Sequence, residues 1–175
     1  LQILIENYIT FGFKKFYISV NYLKDQIINY FEDGSKWNVS IEYLVEEKPL
    51  GTAGSLKLMY SKINTPIFVI NGDVLSKVDP KALIQFHREN NSTATLCVRS
   101  YEMKLPFGVV ETSGMELEGF LEKPSYKKLI NTGIYVIQPE TLSLIPEDKF
   151  FDMPDLFKLI KSYNKKVLVF PIHEY

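Results

Sequence analysis

The run Pro66-Ile67-Phe68-Val69-Ile70 limits the possible folds of this chain more than any other segment. Five consecutive apolar residues without polar alternation describe a strand covered on both faces, as in a parallel sheet flanked by helices. The neighbouring runs alternate in the matching way. Leu1, Leu4, Ile5, Tyr8 and Ile9 recur at helical spacing and stop at Gly12; Phe16 to Val20 reads as a strand. Leu23, Ile27, Ile28 and Phe31 return to helical spacing until Asp33-Gly34-Ser35, and a strand follows at residues 39–45. A helix through Leu56 to Tyr60 precedes the apolar run, and Asp79-Pro80 opens another through Leu83, Ile84 and Phe86, with Asp79 as N-cap and Pro80 at the first helical position. A strand at residues 93–98 completes the alternation, which predicts an α/β domain with right-handed crossovers. Beyond residue 107 the pattern changes to short strands at 107–111 and 117–122 around Ser113-Gly114, another at 133–137, a helix at 154–160 and a strand at 167–170.

With 175 residues the chain suits a single domain, residues 1–175. Twenty basic residues against 21 acidic ones leave a formal charge of -1, so no global field draws nucleic acid or an anionic membrane. A small charged ligand must therefore be held by local groups. The lone Cys97 lies in an apolar strand-like run; it reads as a buried core residue and fits a reducing, cytoplasmic setting. No apolar run approaches the roughly 18 residues of a membrane span, and no signal peptide is visible. His87, beside Arg88, is expected on the solvated face of its helix, and neither it nor His173 has the partners of a zinc site. Trp37 reads as a packing residue at a helix-to-strand turn. The chain opens at Leu1 inside a helical pattern and stops at Tyr175 just after a strand, so truncation at both ends is expected.

Four segments carry chemistry. Pro49-Leu50-Gly51-Thr52-Ala53-Gly54 stands between a strand-like and a helix-like run; two glycines let backbone approach a flat ligand, and the helix start offers N–H groups without internal partners. The same hexapeptide also suits an ordinary connection, with Gly51 making the turn, Thr52 capping and Gly54 allowing close packing. Asn71-Gly72-Asp73 follows the most apolar strand, where ligands of open α/β sheets gather, and its carboxylate suits a hard cation such as magnesium; the alternative is a solvated turn. Glu122-Lys123-Pro124 offers an acceptor for sugar hydroxyls and a point charge for phosphate, or else a surface charge pair before a turn. Asn131-Thr132-Gly133 provides an amide and bare backbone at the start of a strand, or else a routine turn.

Taken in order, and with Phe107-Gly108-Val109-Val110 added, these segments resemble the sugar-phosphate nucleotidyltransferase family, which joins a nucleoside triphosphate to a sugar 1-phosphate. The resemblance spans nearly the whole chain, and the hexapeptide is most similar to the mannose 1-phosphate guanylyltransferase branch serving surface-sugar pathways. It implies a three-layer α/β/α fold with a Rossmann-like, mostly parallel mixed sheet of the nucleotide-diphospho-sugar transferase type. By the same resemblance Pro49, Leu50, Gly51 and Thr52 line the base and ribose, with GTP favoured. Asp73 holds Mg2+, beside Asn71 and Gly72. Gly108 and Val109 touch the sugar, Glu122 bonds its hydroxyls, Lys123 holds its phosphate, and Asn131, Thr132 and Gly133 close the pocket.

The chain departs from the family pattern at both ends. The family's opening glycine-rich loop with its Arg and Lys-Pro pair is absent, and so is its second magnesium carboxylate, which would follow Ile172-His173-Glu174-Tyr175. The fragment alone is therefore expected to be inactive, and its sheet to lack a first, central strand. That leaves either a gapped sheet or strand-mediated association into a homo-oligomer. A second reading is a noncatalytic domain that binds sugar nucleotides for regulation or assembly. A dinucleotide oxidoreductase is disfavoured because no G-x-G-x-x-G follows a strand.

Overall fold

The structure, a computed structural model, describes residues 1–172; His173 lies outside the described residues. In chain order it contains α1 (Gln2–Thr10), β1 (Lys15–Val20), α2 (Lys24–Phe31), β2 (Ser40–Val45), α3 (Gly51–Gly54), β3 (Ile67–Ile70) and α4 (Pro80–Glu89). Then follow β4 (Ala94–Lys104), β5 (Val109–Ser113), β6 (Glu116–Leu121), β7 (Ser125–Ile137), α5 (Met153–Ser162) and β8 (Val167–Pro171). Short 3-10 turns occupy Ser35–Trp37, Ser55–Met59 and Pro139–Leu144.

The strands form three sheets. β1 and β2 pair in parallel with each other. A four-stranded sheet runs in the order β3-β7-β4-β8, in which β7 alone opposes the direction of the other three. β5 and β6 form a separate antiparallel ribbon. Backbone pairing is thus interrupted between β1–β2 and β3. The interruption explains why Ile67 to Ile70 is half-buried along its whole length instead of fully covered, as its apolar run led one to expect. Among the described residues, one flank of β3 lacks a neighbouring strand.

Side chains bridge the gap. Alternation along β1 turns Phe16, Ile18 and Val20 toward α1 and α2, where they pack with Ile5, Phe31 and Ile41. The opposite face of β1–β2 gives Tyr17 and Leu44 to a larger core that also contains Ile67, Val69, Ala94, Tyr135 and Ile137 from the four-stranded sheet, closed by Met153, Leu156 and Ile160 of α5. The far face of that sheet packs Cys97, Ile134 and Val136 against Leu83 of α4. Helices therefore cover both faces. Near the gap, the ring of Phe68 lies 5.1 Å from Tyr8 and 5.6 Å from Phe13. Cys97 is fully buried, and Trp37 packs on Phe31 at 5.2 Å.

Two expectations need correction. The strands expected at 93–98 and 133–137 continue far beyond the core, to Lys104 in β4 and back to Ser125 in β7. Pairing between Arg99–Ile130 and Lys104–Ser125 sustains them where no core face imposes a pattern. His87 does not face solvent: it is fully buried, on the side of α4 that also buries Pro80 and Leu83. Its Nδ1 bonds Thr95 Oγ1 at 2.9 Å, and its Nε2 faces Gln138 Nε2 at 3.0 Å; that amide also reaches the Ser92 carbonyl at 3.5 Å. An amide N–H at Nε2 requires the neutral ring, with Nδ1–H donating to Thr95.

Burial first, and the adjacent Arg88 second, hold the His87 ring below its ordinary value of 6.5. The unfolded chain therefore takes up a proton near pH 6.5 that the folded state refuses, so this contribution to stability is complete above 6.5 and declines as pH falls toward the lowered folded value. Urea unfolding followed between neutral and mildly acidic pH should show that decline, and His87→Gln should remove it. An unchanged slope in the variant would dismiss the role assigned to His87.

Candidate functional site

The glycine hexapeptide leaves β2 through Glu46. That carboxylate accepts the Leu50 amide at 2.8 Å and the Ser19 hydroxyl, while the Glu46 backbone bonds Val20 and Asn21. One residue thus ties the loop to the carboxyl ends of both parallel strands. Beside it lies an open cleft of about 640 Å3 between residues 21–26 and Glu46–Glu47. Glu46 escaped the sequence reading because it looks like one more charge after a strand; its adjacency to the glycine loop was the available signal.

The loop's other contacts run to the segment before α5. Phe151 N–H donates to the Leu50 carbonyl at 2.8 Å, and its carbonyl accepts from Ala53 and Gly54 at 2.9 and 3.0 Å. Asp152 Oδ1 accepts from the Thr52 amide at 2.9 Å and its hydroxyl at 3.0 Å, and the Met153 amide donates to Thr52 Oγ1 at 2.9 Å. Asp152 occupies the N-cap position of α5 yet caps α3, while Thr52 caps α5. Among the described residues, three of the four amides that a helix start leaves without intrahelical partners are spent here, and the Gly51 amide is the remaining one. The sequence expectation of a row of open N–H groups is thereby corrected.

Both glycines answer to this docking. Gly51 has φ +77°, and a Cβ there would lie 2.8 Å from the Phe151 carbonyl oxygen; one at Gly54 would lie 2.9 Å from Leu50 Cβ and 3.0 Å from the Lys149 oxygen. The connection roles weighed for Gly51 and Gly54 are both present, and Thr52 caps a different helix from its own. Pro49 stays exposed and Leu50 buried.

At the end of β3, residues 71–74 make a turn closed by Val74 N–H to the Asn71 carbonyl at 3.1 Å, with Gly72 and Asp73 exposed at its centre. The segment Asn131-Thr132-Gly133 meets this turn. Asn71 N–H donates to the Gly133 carbonyl at 3.0 Å, and a Cβ on Gly133, at φ +76°, would lie 2.8 Å from Asn71 Nδ2. Asn131 accepts the Gly133 amide at 3.0 Å and donates to the Tyr135 hydroxyl at 2.7 Å; Thr132 donates to the Cys97 carbonyl at 3.0 Å. Burial raises the Tyr135 phenol above its ordinary range and the Asn131 bond partly offsets that, so Tyr135 stays neutral.

Gly108 and Glu122 form a second group, since a Cβ on Gly108 would sit 3.2 Å from Glu122 Oε2. Lys123, at φ +45°, lies 3.8 Å from Glu122, and both are exposed. Val109 begins the ribbon and is half-buried. This group is not beside Asp73: the six residue steps of strand from Ser125 to Asn131 span about 20 Å.

The glycine hexapeptide and the Asn71-Gly72-Asp73 turn follow the carboxyl ends of β2 and β3 in an open, mixed α/β fold, and that fold is shared with solved structures. A Yersinia pseudotuberculosis HddC structure complexed with GMP-PN matches 99% of this chain and 76% of its own with a TM-score of 0.73 at 22% identity. A putative glucose-1-phosphate thymidylyltransferase from Bacillus anthracis matches 91% and 68% with a TM-score of 0.67 at 21% identity. The family model described as nucleotidyl transferase matches residues 1–169, and the chain belongs to that family. A mannose-1-phosphate guanyltransferase of Yarrowia lipolytica is 34% identical over 149 residues, covering 81% of this chain and 41% of the relative. A UTP--glucose-1-phosphate uridylyltransferase of Synechocystis is 33% identical over 185 residues, covering 93% and 47%. The chain spans less than half the length of these curated relatives. No helix among the described residues is long and apolar enough to cross a membrane.

Because the Thr52 hydroxyl is engaged within the protein, its removal should be felt first in stability. Thr52→Val should cost about 1–2 kcal/mol in urea unfolding, and Asp152→Asn should add little once the valine is present, since both remove one network. Full additivity of the two would show that the exchanged caps do not act together.

Proposed function

We propose that the protein is a sugar-1-phosphate nucleotidyltransferase, with GTP its favoured nucleotide, making nucleotide sugars for cell-surface polymers. One observation carries this reading: the Asn71-Gly72-Asp73 turn is clasped by Asn131-Thr132-Gly133 through the Asn71–Gly133 bond, which builds a backbone-lined, exposed carboxylate site at the end of β3. A Cβ added to Gly72 meets nothing within 4 Å, so the turn is open on that side to the approach of a ligand. Family membership and the guanyltransferase relatives support the same reading.

Asp73 is an exposed oxygen donor, and Mg2+ is typically held by one or two carboxylates together with substrate phosphates and water, so a single carboxylate fits. Bound there, the ion would neutralise triphosphate charge. The chain's own groups orient the reactants: Pro49, Leu50, Gly51 and Thr52 border the base and ribose, with the Gly51 amide as a donor. Asn131 and the bare backbone at Gly133 close on the sugar. A phosphate oxygen of the sugar 1-phosphate attacks the α-phosphorus of the triphosphate while the bond to the pyrophosphate oxygen breaks, and pyrophosphate leaves. Positioning and charge neutralisation suffice for such a step, so no protein nucleophile is required.

The test is pyrophosphate release by the full-length protein with GTP, dTTP, UTP, CTP or ATP against several sugar 1-phosphates, magnesium present. One pair should react, and Asp73→Asn should lower the rate by roughly 100-fold or more, equivalent to several kcal/mol. Silence of the folded protein across the panel would replace this reading with a noncatalytic binding domain.

A further inference from the structure

Two dipeptides of this chain can close a five-membered succinimide ring on their own backbone: Asp33-Gly34 and Asn71-Gly72, its sole Asp-Gly and Asn-Gly pairs. Closure requires the backbone nitrogen of the second residue to reach the side-chain carbonyl carbon of the first. Glycine, without a Cβ, hinders that approach least. The fold treats the two pairs in opposite ways.

At Asp33-Gly34 the reacting groups are occupied. Asp33 Oδ1 accepts the Ser35 amide at 3.0 Å, and the Gly34 amide, which would be the nucleophile, donates to the Phe31 carbonyl at 3.0 Å. Gly34 stands at φ +85°, and a Cβ there would lie 2.8 Å from Ile41 Cγ1. Ring closure would break both bonds in a crowded turn.

At Asn71-Gly72 the same groups are open. Among the described residues, no hydrogen bond engages the Asn71 side-chain amide or the Gly72 N–H. Gly72 is exposed, lies outside the left-handed region, and a Cβ on it would meet nothing within 4 Å. The backbone around it is nonetheless anchored, by Asn71 N–H to the Gly133 carbonyl at 3.0 Å and by Val74 N–H to the Asn71 carbonyl at 3.1 Å. Asn71 Cγ, the carbon to be attacked, lies 3.1 Å from where a Cβ of Gly133 would stand, so the bare glycine leaves that side of it uncrowded.

We propose that Asn71 deamidates spontaneously in the folded protein, through a succinimide to isoaspartate, at the turn that carries Asp73. The Gly72 nitrogen, its proton taken by solvent base, bonds to Asn71 Cγ; the Cγ–Nδ2 bond breaks, and the amide nitrogen leaves as ammonia. Water then opens the ring at one of its two carbonyls. If the Gly72 nitrogen stays on the backbone carbonyl the product is aspartate, and if it stays on Cγ the product is isoaspartate. The isoaspartyl form routes the main chain through Cβ, so it inserts a methylene between β3 and Asp73 and adds a second carboxylate to the turn. Water is the only co-reactant, so the inference stands apart from the transferase reading, and its failure would leave that reading intact.

The test is to hold the purified protein for days at mildly alkaline pH, with a parallel sample unfolded in guanidinium chloride. Both are digested and mapped by mass spectrometry with fragmentation that separates isoaspartate from aspartate. Unfolded, both dipeptides should convert. Folded, Asn71 should convert at close to its unfolded rate, faster as pH rises, while Asp33 gains no isoaspartate. Gly72→Ala adds a methyl that meets no neighbour, so its circular dichroism should match the wild type, and the conversion should be lost over the same period. Retention of the Asn71 amide in the folded protein while the unfolded chain converts would overturn the inference, as would undiminished conversion in Gly72→Ala.

Discussion

The exchange of caps between Thr52 and Asp152 is the contact on which the rest of the molecule depends. It closes a loop of 100 residues and brings α3 and α5 together by their amino ends. Each helix start would otherwise present amides to a partly dry surface at a cost of about 1–3 kcal/mol apiece. With those groups satisfied, Ala53, Leu56 and Met59 can descend into the same core as Met153, Leu156 and Ile160. That core matters beyond its area, because β1–β2 shares no backbone hydrogen bond with the four-stranded sheet. Side-chain packing under the gap, and the Tyr8, Phe13 and Phe68 rings beside it, hold the two sheets as one body.

The same contact explains why the hexapeptide is poor in side chains. Gly51 and Gly54 admit the 149–152 backbone at distances no Cβ permits, so the glycines that suggest a ligand loop are already needed for the fold. At Gly72 and Gly133 the requirement divides differently. Gly133 has a positive φ and a neighbour, Asn71, where its Cβ would be; Gly72 has neither. On the transferase reading, the turn at Gly72 therefore leaves the space beside Asp73 open to a ligand.

What the sequence revealed follows from how local each signal is. Helical and strand periodicities marked nearly every element of the body because each has a core to face. The capping of α4 was equally plain, and Asp79 accepts the Lys81 amide at 2.8 Å. The hairpin stem stayed hidden because Arg99 to Lys104 and Ser125 to Ile130 have no buried side to impose alternation; cross-strand pairing alone holds them extended. His87 was misjudged through its neighbour Arg88, although one helical step rotates the next side chain by about 100°, enough to place one in the core and the other in water. The Thr52–Asp152 exchange was invisible for a different reason: Asp152 before Met153-Pro154 reads as the cap of its own helix, and only the third dimension redirects it.

On the transferase reading, these contacts also limit where base selection can reside. A loop whose Thr52, Ala53 and Gly54 amides are consumed internally has few donors left to read a base edge, and its apolar Pro49 and Leu50 discriminate weakly between flat rings of similar size. Selection must then come from groups outside the hexapeptide that share its frame. Glu46 holds the loop against β1 and β2, and the cleft beside it is lined by Asn21, Lys24, Asp25 and Gln26. Those polar side chains differ from the loop in one physical respect: changing them removes no helix cap and fills no glycine cradle. Nucleotide preference could therefore shift at Lys24, Asp25 and Gln26 while the fold stays intact, which neither the hexapeptide nor Asn21, whose side-chain amide donates to the Glu46 carbonyl, allows.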